Sequence, residues 1–408
     1  MAFKNYSVRD TIPPVVLGLY YKLIPENSIS GSNSSFNELK LKKISNNLFI
    51  SDTLKTNGPV GFGINSFDRM NNTWNKMGLS NIKTSIDGNE IFNMDLNSFS
   101  YDEWRHINTF IDYPYYKNKK IKIQKLYIEE FNPLDMYKRS LGDGIVKINE
   151  TNVTYLYNVK LFDFNKNQSE ILVPIQWAKQ NDLSNRKLDF KNMFKVNKDS
   201  AYNFKFPGAK VSIEKNSFYT DKIIQIFEEN NLLHVDKDSI PLLKGITIKM
   251  DVSRYNDSIR NRTYIGRIGE NKKSSFVSSK KEENYVIAKV NNLGDFVIKI
   301  DSIKPNVSVI DISDNQWISN RKNLSIKISD NESGVKNYRG TINDKWILLE
   351  YNPMKGILSY DFNDNVNKDD AKNVLEIKIE DNVGNEKKLI KTFYLSLIHI
   401  WRCRRPIP

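Results

Sequence analysis

Apolar and polar residues alternate with period two along most of the chain, the spacing of strands that bury one face. Leu39-Lys40-Leu41-Lys42, Ile121-Lys122-Ile123-Gln124 and Ile246-Thr247-Ile248-Lys249-Met250 carry it in short form. Longer extended runs are predicted over residues 15–23, 60–67, 82–86, 153–162 and 171–177. Further on they cover residues 202–206, 211–213, 223–227, 324–328, 335–342, 346–351, 357–362, 374–379 and 389–395. Asp87-Gly88 predicts a hairpin into Ile91-Phe92, and Asn291–Asp295 predicts one joining residues 285–290 to 296–300. Two stretches read differently. Residues 99–110 fit either state, with Ser100 and Glu103 spaced as a capping box and Trp104, Ile107 and Ile111 as a helical stripe. Asn132-Pro133, then Leu134, Tyr137 and Leu141 closed by Gly142, predicts a short helix.

One pattern returns. Asp10-Thr11-Ile12-Pro13-Pro14 is echoed by Asp301-Ser302-Ile303-Lys304-Pro305, each followed by an apolar extended run. Proline fixes φ and lacks an N–H, so it suits the lead-in to an edge strand. The far ends match too: Leu161-Phe162-Asp163 through Asn167 against Ile379-Glu380-Asp381 through Asn385, a strand running into an Asp/Asn turn. Between them, Ile64–Asp68 corresponds more loosely to Ile326–Asp330. Two divergent copies of one unit account for this.

The chain therefore divides into a lead-in at 1–9, a first unit at 10–177, a linker at 178–187, a middle β region at 188–300 and a second copy at 301–395. Turns about every ten residues without helical crossovers favour a sandwich over a parallel sheet. The expected class is all-β: tandem immunoglobulin-like β-sandwich domains with a distinct β domain between them. Residues 396–408 abandon the Asn/Lys usage of the rest and read as a non-native tail, left out of fold reasoning with Cys403.

Charge changes the picture little. The chain has 61 Lys and Arg against 48 Asp and Glu, a net +13, which favours acidic surfaces. The basic residues are spread and mostly paired with nearby Asp or Glu, so a solvated surface explains them and no specific nucleic-acid partner is expected. No apolar run reaches the length of a membrane span and no h-region follows Met1, so neither an anchor nor a signal peptide is expected in the chain as given. A lone cysteine excludes an internal disulfide framework.

Candidate chemistry is thin. His106, His234 and His399 are far apart, with no His-x-His, His-Glu-x-x-His or Cys-x-x-Cys to hold zinc. No Gly-x-Ser-x-Gly is present, and Gly58-Pro59-Val60-Gly61-Phe62-Gly63 reads as hairpin glycines rather than a phosphate cradle. Acidic turns at Asp330-Asn331-Glu332 and 361–370 offer oxygen ligands for calcium, without EF-hand spacing, and ordinary turn chemistry is the simpler reading. Trp74, Trp104, Trp177, Trp317 and Trp346 read as core or strand-pair anchors before sugar platforms. No catalytic, cofactor-binding or metal-ligating residue is assigned, and no cofactor is expected.

Several phrases together resemble a known family. They are Val8-Arg9-Asp10-Thr11-Ile12-Pro13-Pro14, Gly61-Phe62-Gly63-Ile64, Asn75-Lys76-Met77-Gly78, Tyr101–Asn108 with Ile111-Asp112-Tyr113, Leu293-Gly294-Asp295-Phe296, Ser333–Gly340 and Asp381-Asn382-Val383-Gly384-Asn385. The family is the lysostaphin-like zinc metallopeptidases of Bacteroidetes, which cleave peptidoglycan, and the resembling part is the region after their catalytic domain. That domain's His-x-x-x-Asp and His-x-His elements are absent here. The resemblance implies a non-catalytic accessory region working at the cell envelope, in the periplasm or on the surface. Its expected partner is an envelope or cell-wall component, or the enzyme domain itself. The alternative is a surface adhesion or glycan-binding protein; an enzyme with an unrecognised carboxylate pair is a third.

Overall fold

The computed structural model describes residues 9–24, 35–96, 98, 100–178, 191–319, 321–362 and 371–395. The loop expected at 26–35, the linker expected at 178–187, most of the acidic stretch at 361–370 and residues 396–408, expected to be a non-native tail, thus lie wholly or largely outside them. Within the described residues the strands form six sheets, two facing each other around each of three cores. The protein is all-β, built of tandem sandwiches.

In the first unit, Val15–Leu23 pairs antiparallel with Val60–Phe67, giving a four-stranded sheet. The opposite sheet is built on Thr154–Phe162, which pairs with Gln168–Trp177 on one side and Asn81–Ile86 on the other. Strict alternation buries Tyr157, Val159 and Leu161, then Ile171, Val173 and Ile175. Phe62 from one sheet stacks on Tyr157 from the other, with ring centroids 4.2 Å apart. Two short strands, Leu48–Ser51 and Leu54–Thr56, lie parallel to Gln168–Trp177. Pro174 falls between the two paired segments, where a missing N–H leaves no gap in a ladder.

The last unit repeats this plan. Lys372–Asp381 pairs with Glu386–Tyr394 and Val335–Ile342, as 154–162 does with its neighbours. Gln316–Trp317 runs parallel to the final strand, as Leu48–Ser51 does in the first unit. Asn306–Val309 pairs with Asn323–Ser329 in the facing sheet, as Val15–Leu23 does with Val60–Phe67. The middle unit differs, with a six-stranded and a five-stranded sheet.

Several expectations fail for physical reasons. The hairpin expected between 285–290 and 296–300 is a crossing between sheets: Tyr285–Val290 pairs with Ile246–Asp251, and Gly294–Ile300 with Leu232–Val235 and Thr263–Ile268. The fully buried Leu293 fills the corner, and its carbonyl accepts from Arg267 Nη2 at 2.8 Å. Leu39–Lys42 is not one strand either. Asn37–Leu39 and Leu41–Lys43 join different sheets, and the stretch at 346–351 divides in the same way into Lys345–Ile347 and Glu350–Asn352. The helix expected after Asn132 does not form. Asp95 donates to the Met136 carbonyl and Lys138 to that of Asn93, so this segment bonds to a strand edge, leaving only the 3-10 turn Arg139–Leu141. Of the alternating run at 121–124, only Gln124–Lys125 is strand.

Of the stretch at 99–110, the described residues 100–110 form the 3-10 turn Tyr101–His106 and the short helix Ile107–Phe110, with both capping-box bonds made at Ser100 and Glu103. Of the expected stripe only Ile111 is buried in the core, beside Phe110, while Trp104 and Ile107 are exposed. A helix that alternation hid, Tyr113–Lys119, is capped by Asp112 and carries Pro114 in its first turn.

Candidate functional site

The repeated phrases converge. Asp10 precedes the first strand, Asp68 ends Val60–Phe67, and Asp163 opens the turn between Thr154–Phe162 and Gln168–Trp177. All three are buried, and each contributes a carboxylate oxygen lying within 4.8 Å of the other two. Asn167 closes the turn: its N–H donates to Asp163 Oδ1 at 2.8 Å and its amide to Oδ2 at 2.6 Å. The same amide reaches the Asp10 carbonyl at 3.1 Å, while Asp10 Oδ1 accepts from the Ile12 and Asn71 N–H groups.

Asp68 is less well served. It is 4% exposed, and its Oδ1 is buried without a hydrogen-bond donor. Burial pushes its carboxyl up to about 6, and the charges of Asp163 and Asp10 add to this against the N–H of Arg69.

The last unit rebuilds the arrangement with Asp301, Asp330 and Asp381, again within 4.8 Å of one another. Asn385 takes the place of Asn167, donating its amide to Asp381 Oδ2 at 2.7 Å and to the Asp301 carbonyl at 3.0 Å. This copy is better supplied with donors. Asp301 accepts from Ile303 and Ser333, Asp330 Oδ1 from Glu332 and Gly334, and Asp381 Oδ1 from Val383 and Asn385. Burial raises the Asp330 carboxyl, opposed by those two N–H groups and assisted by Asp301 and Asp381. Among the described residues, no Lys, Arg or His nitrogen is ion-paired to any of the six carboxylates. Oxygen-only donors suit a hard cation and not zinc, which prefers nitrogen and sulfur.

The sequence by itself marks no site residue here. Its repeat aligns Asp10 with Asp301, Asp68 with Asp330 and Asp163 with Asp381, but only folding brings each set of three together. Asp330 does lie in a cluster, whereas Glu332 accepts from Tyr264 Oη at 3.2 Å instead. His106 packs edge-on to Tyr219, and His234 Nδ1 lies 2.6 Å from Asp295 while the ring stacks on Phe227. Gly61 and Gly63 are not hairpin glycines. They lie within a strand, where a Cβ would meet the Tyr127 ring or Ile123 Cγ2. Of the tryptophans only Trp177 packs on a core; Trp317 (62% exposed) and Trp346 (59%) sit in strand pairs, Trp317 opposite Tyr394, and Trp74 is 89% exposed.

The units also meet. Asp238 of the middle unit takes Lys117 of the first at 2.8 Å and Arg267 of its own at 2.7 Å. Tyr219 Oη donates to the Arg105 carbonyl, and Arg105 Nη1 to that of Leu243. Nearby, Glu129 is ion-paired with Lys125 at 2.7 Å and also feels the charges of Lys22 and of Lys222 across the junction. Between the middle and last units, Tyr264 reaches Glu332, and Asp301 N–H donates to the Arg262 carbonyl at 3.0 Å.

A family model described as the Zu5-like domain matches residues 191–301, the middle unit alone. No curated protein matches the chain. Among solved structures, the endo-beta-1,4-mannanase from Thermotoga petrophila is similar at 15% identity and a TM-score of 0.21, over 24% of this chain and 20% of that one. The chain thus spans a fifth of that enzyme. The fibronectin(III)-like modules of Clostridium thermocellum CbhA are similar at 11% identity and TM-score 0.19, over 38% of this chain and 86% of theirs. Bacteroides ovatus SGBP-B of a mixed-linkage glucan utilization locus, in complex with a mixed-linkage heptasaccharide, matches at 10% identity and TM-score 0.16, over 95% and 71%. TM-scores this low carry nothing of those proteins' chemistry to this chain.

No helix among the described residues is long and apolar enough to cross a membrane.

Proposed function

We propose that the chain is a non-catalytic accessory region of a peptidoglycan metalloendopeptidase, positioning the enzyme domain or docking it to an envelope partner. The family resemblance motivates this reading. The observation that carries it is the bonded junction between units, with Asp238 held by Lys117 and Arg267 on one side and Tyr264 reaching Glu332 on the other. Partly buried links of this kind hold sandwiches at a set spacing, which suits a positioning element. On this reading the chain has no peptidase activity and works in the periplasm or at the cell surface. Purified chain incubated with muropeptides and zinc yields no new products; measurable cleavage overturns the proposal. Small-angle scattering gives one compact distance distribution, and a broad ensemble of separated units contradicts a positioning role.

A second reading, adhesion through glycan binding, is favoured by Trp317, which is 62% exposed and stacked on Tyr394 at 5.2 Å. Aromatic faces of this kind suit sugar rings. Binding to sacculi that survives moderate salt and is lost in Trp317→Ala supports it over charge attraction; no binding counts against it.

A further inference from the structure

We propose that Asp10, Asp68 and Asp163 form a calcium-binding site that ties the first strand of the unit to the opposite sheet. The inference does not depend on the accessory reading.

Three carboxylates share a buried space, and among the described residues no cation is ion-paired to them. Gathering like charges out of water is costly unless a counter-charge or a dense set of donors accompanies them. Asp10 and Asp163 have such donors from backbone N–H groups and Asn167. Asp68 is served by the Arg69 N–H alone: it is 4% exposed, it belongs to the cluster, and its Oδ1 has no donor. A bare buried carboxylate oxygen beside two other carboxylates is the feature that turns an acidic cluster into a ligand set.

The dimensions agree. Calcium takes oxygens at about 2.3–2.6 Å, so two ligands of one ion stand no more than about 5 Å apart. The three carboxylate oxygens lie within 4.8 Å of each other. Calcium also tolerates an irregular shell completed by carbonyls and water, whereas magnesium demands near-octahedral placement. The ligands come from positions 10, 68 and 163, so an ion here joins a lead-in, a strand end and a hairpin turn that are remote in sequence.

The competing arrangement is a proton shared among the carboxylates, and the experiment separates the two. The full chain, freed of metal with chelator, is titrated with calcium chloride by calorimetry and by thermal melting at pH 7, alongside magnesium. Wild type takes up calcium and melts at higher temperature with it, and magnesium acts only at much higher concentration. Asp68→Asn, nearly isosteric, loses one equivalent or binds at least about tenfold more weakly. A second equivalent that survives in Asp68→Asn belongs to the Asp301 cluster and leaves the assignment intact. Asp10→Asn serves as a second variant should the first fold poorly, with circular dichroism checking the fold. Absence of both heat and melting shift at millimolar calcium overturns the proposal, as does unchanged stoichiometry and affinity in both variants. An Asp68→Asn chain that is more stable than wild type at pH 7 and deaf to calcium, beside an equally deaf wild type, assigns the cluster to a shared proton instead.

Discussion

Asp163 and Asp381 stand at the same place in two separate sandwiches, each at the mouth of a turn and each gripped by an asparagine four residues on, at 2.6 and 2.7 Å. That asparagine also holds the carbonyl of the Asp that leads into its unit. One side chain therefore closes a turn and fastens the start of the domain to its end.

Removing the fastener tests its share of stability. Asn385→Ala leaves Asp381 Oδ2 and the Asp301 carbonyl short of a donor in a buried setting, which costs about 1–3 kcal/mol. Chemical denaturation followed by domain-resolved hydrogen exchange reads it, with protection lost first in the 306–394 strands. An unchanged midpoint contradicts the role.

Glycine at 144 separates strain from crowding. Gly144 has φ +76°, and a Cβ there would stand 2.6 Å from the Leu126 carbonyl. Gly88 has φ +85° with open space around it. Gly88→Ala should cost about 1–2 kcal/mol for the left-handed backbone alone. Gly144→Ala adds about 1–3 kcal/mol of overpacking. Equal losses in urea denaturation would refute the packing argument.

The junction has a pH signature. Burial works to raise the Glu129 carboxyl, but the charge and hydrogen bond of Lys125, with Lys22 and Lys222, win and hold it below its usual 4.5. A depressed carboxylate stabilises the fold above its unfolded value, and that stability is lost as pH falls through the folded one. Glu129→Gln should therefore destabilise the chain at pH 7 by about 1 kcal/mol, since the group is partly solvated. The gap should close below pH 4.5. Melting curves across pH 3–7 check the sign.

Asp238→Ala strips Lys117 and Arg267 of a shared partner. The sandwiches themselves keep their cores, so melting changes by only about 1 kcal/mol in stability terms. The mutant's scattering curve broadens as the first and middle units come apart. Identical curves would show that Arg105, Tyr219 and packing suffice.

Strand positions were legible because alternation and turn residues act locally. Val15–Leu23 and Val60–Phe67 end where the pattern ends, and Asp87 and Gly88 both adopt positive φ as their hairpin requires. Pairing was less legible. Tyr285–Val290 and Gly294–Ile300 carry a hairpin-like connection yet join different sheets, since a fully buried Leu293 rewards turning the corner. The helix Tyr113–Lys119 was hidden because most of its residues stay partly exposed, leaving little apolar period to read.

Sequence alone determined that this is a duplicated all-β chain: period-two burial, Asp/Asn turns and proline lead-ins are each set by residues a few positions apart. It also marked the six aspartates, as paired positions in a repeat. Only tertiary structure decided that positions 10, 68 and 163 meet, and 301, 330 and 381 likewise, because which strands pair and which faces oppose depends on burying the whole core at once. Local spacing carries no term for a distance between residues so far apart.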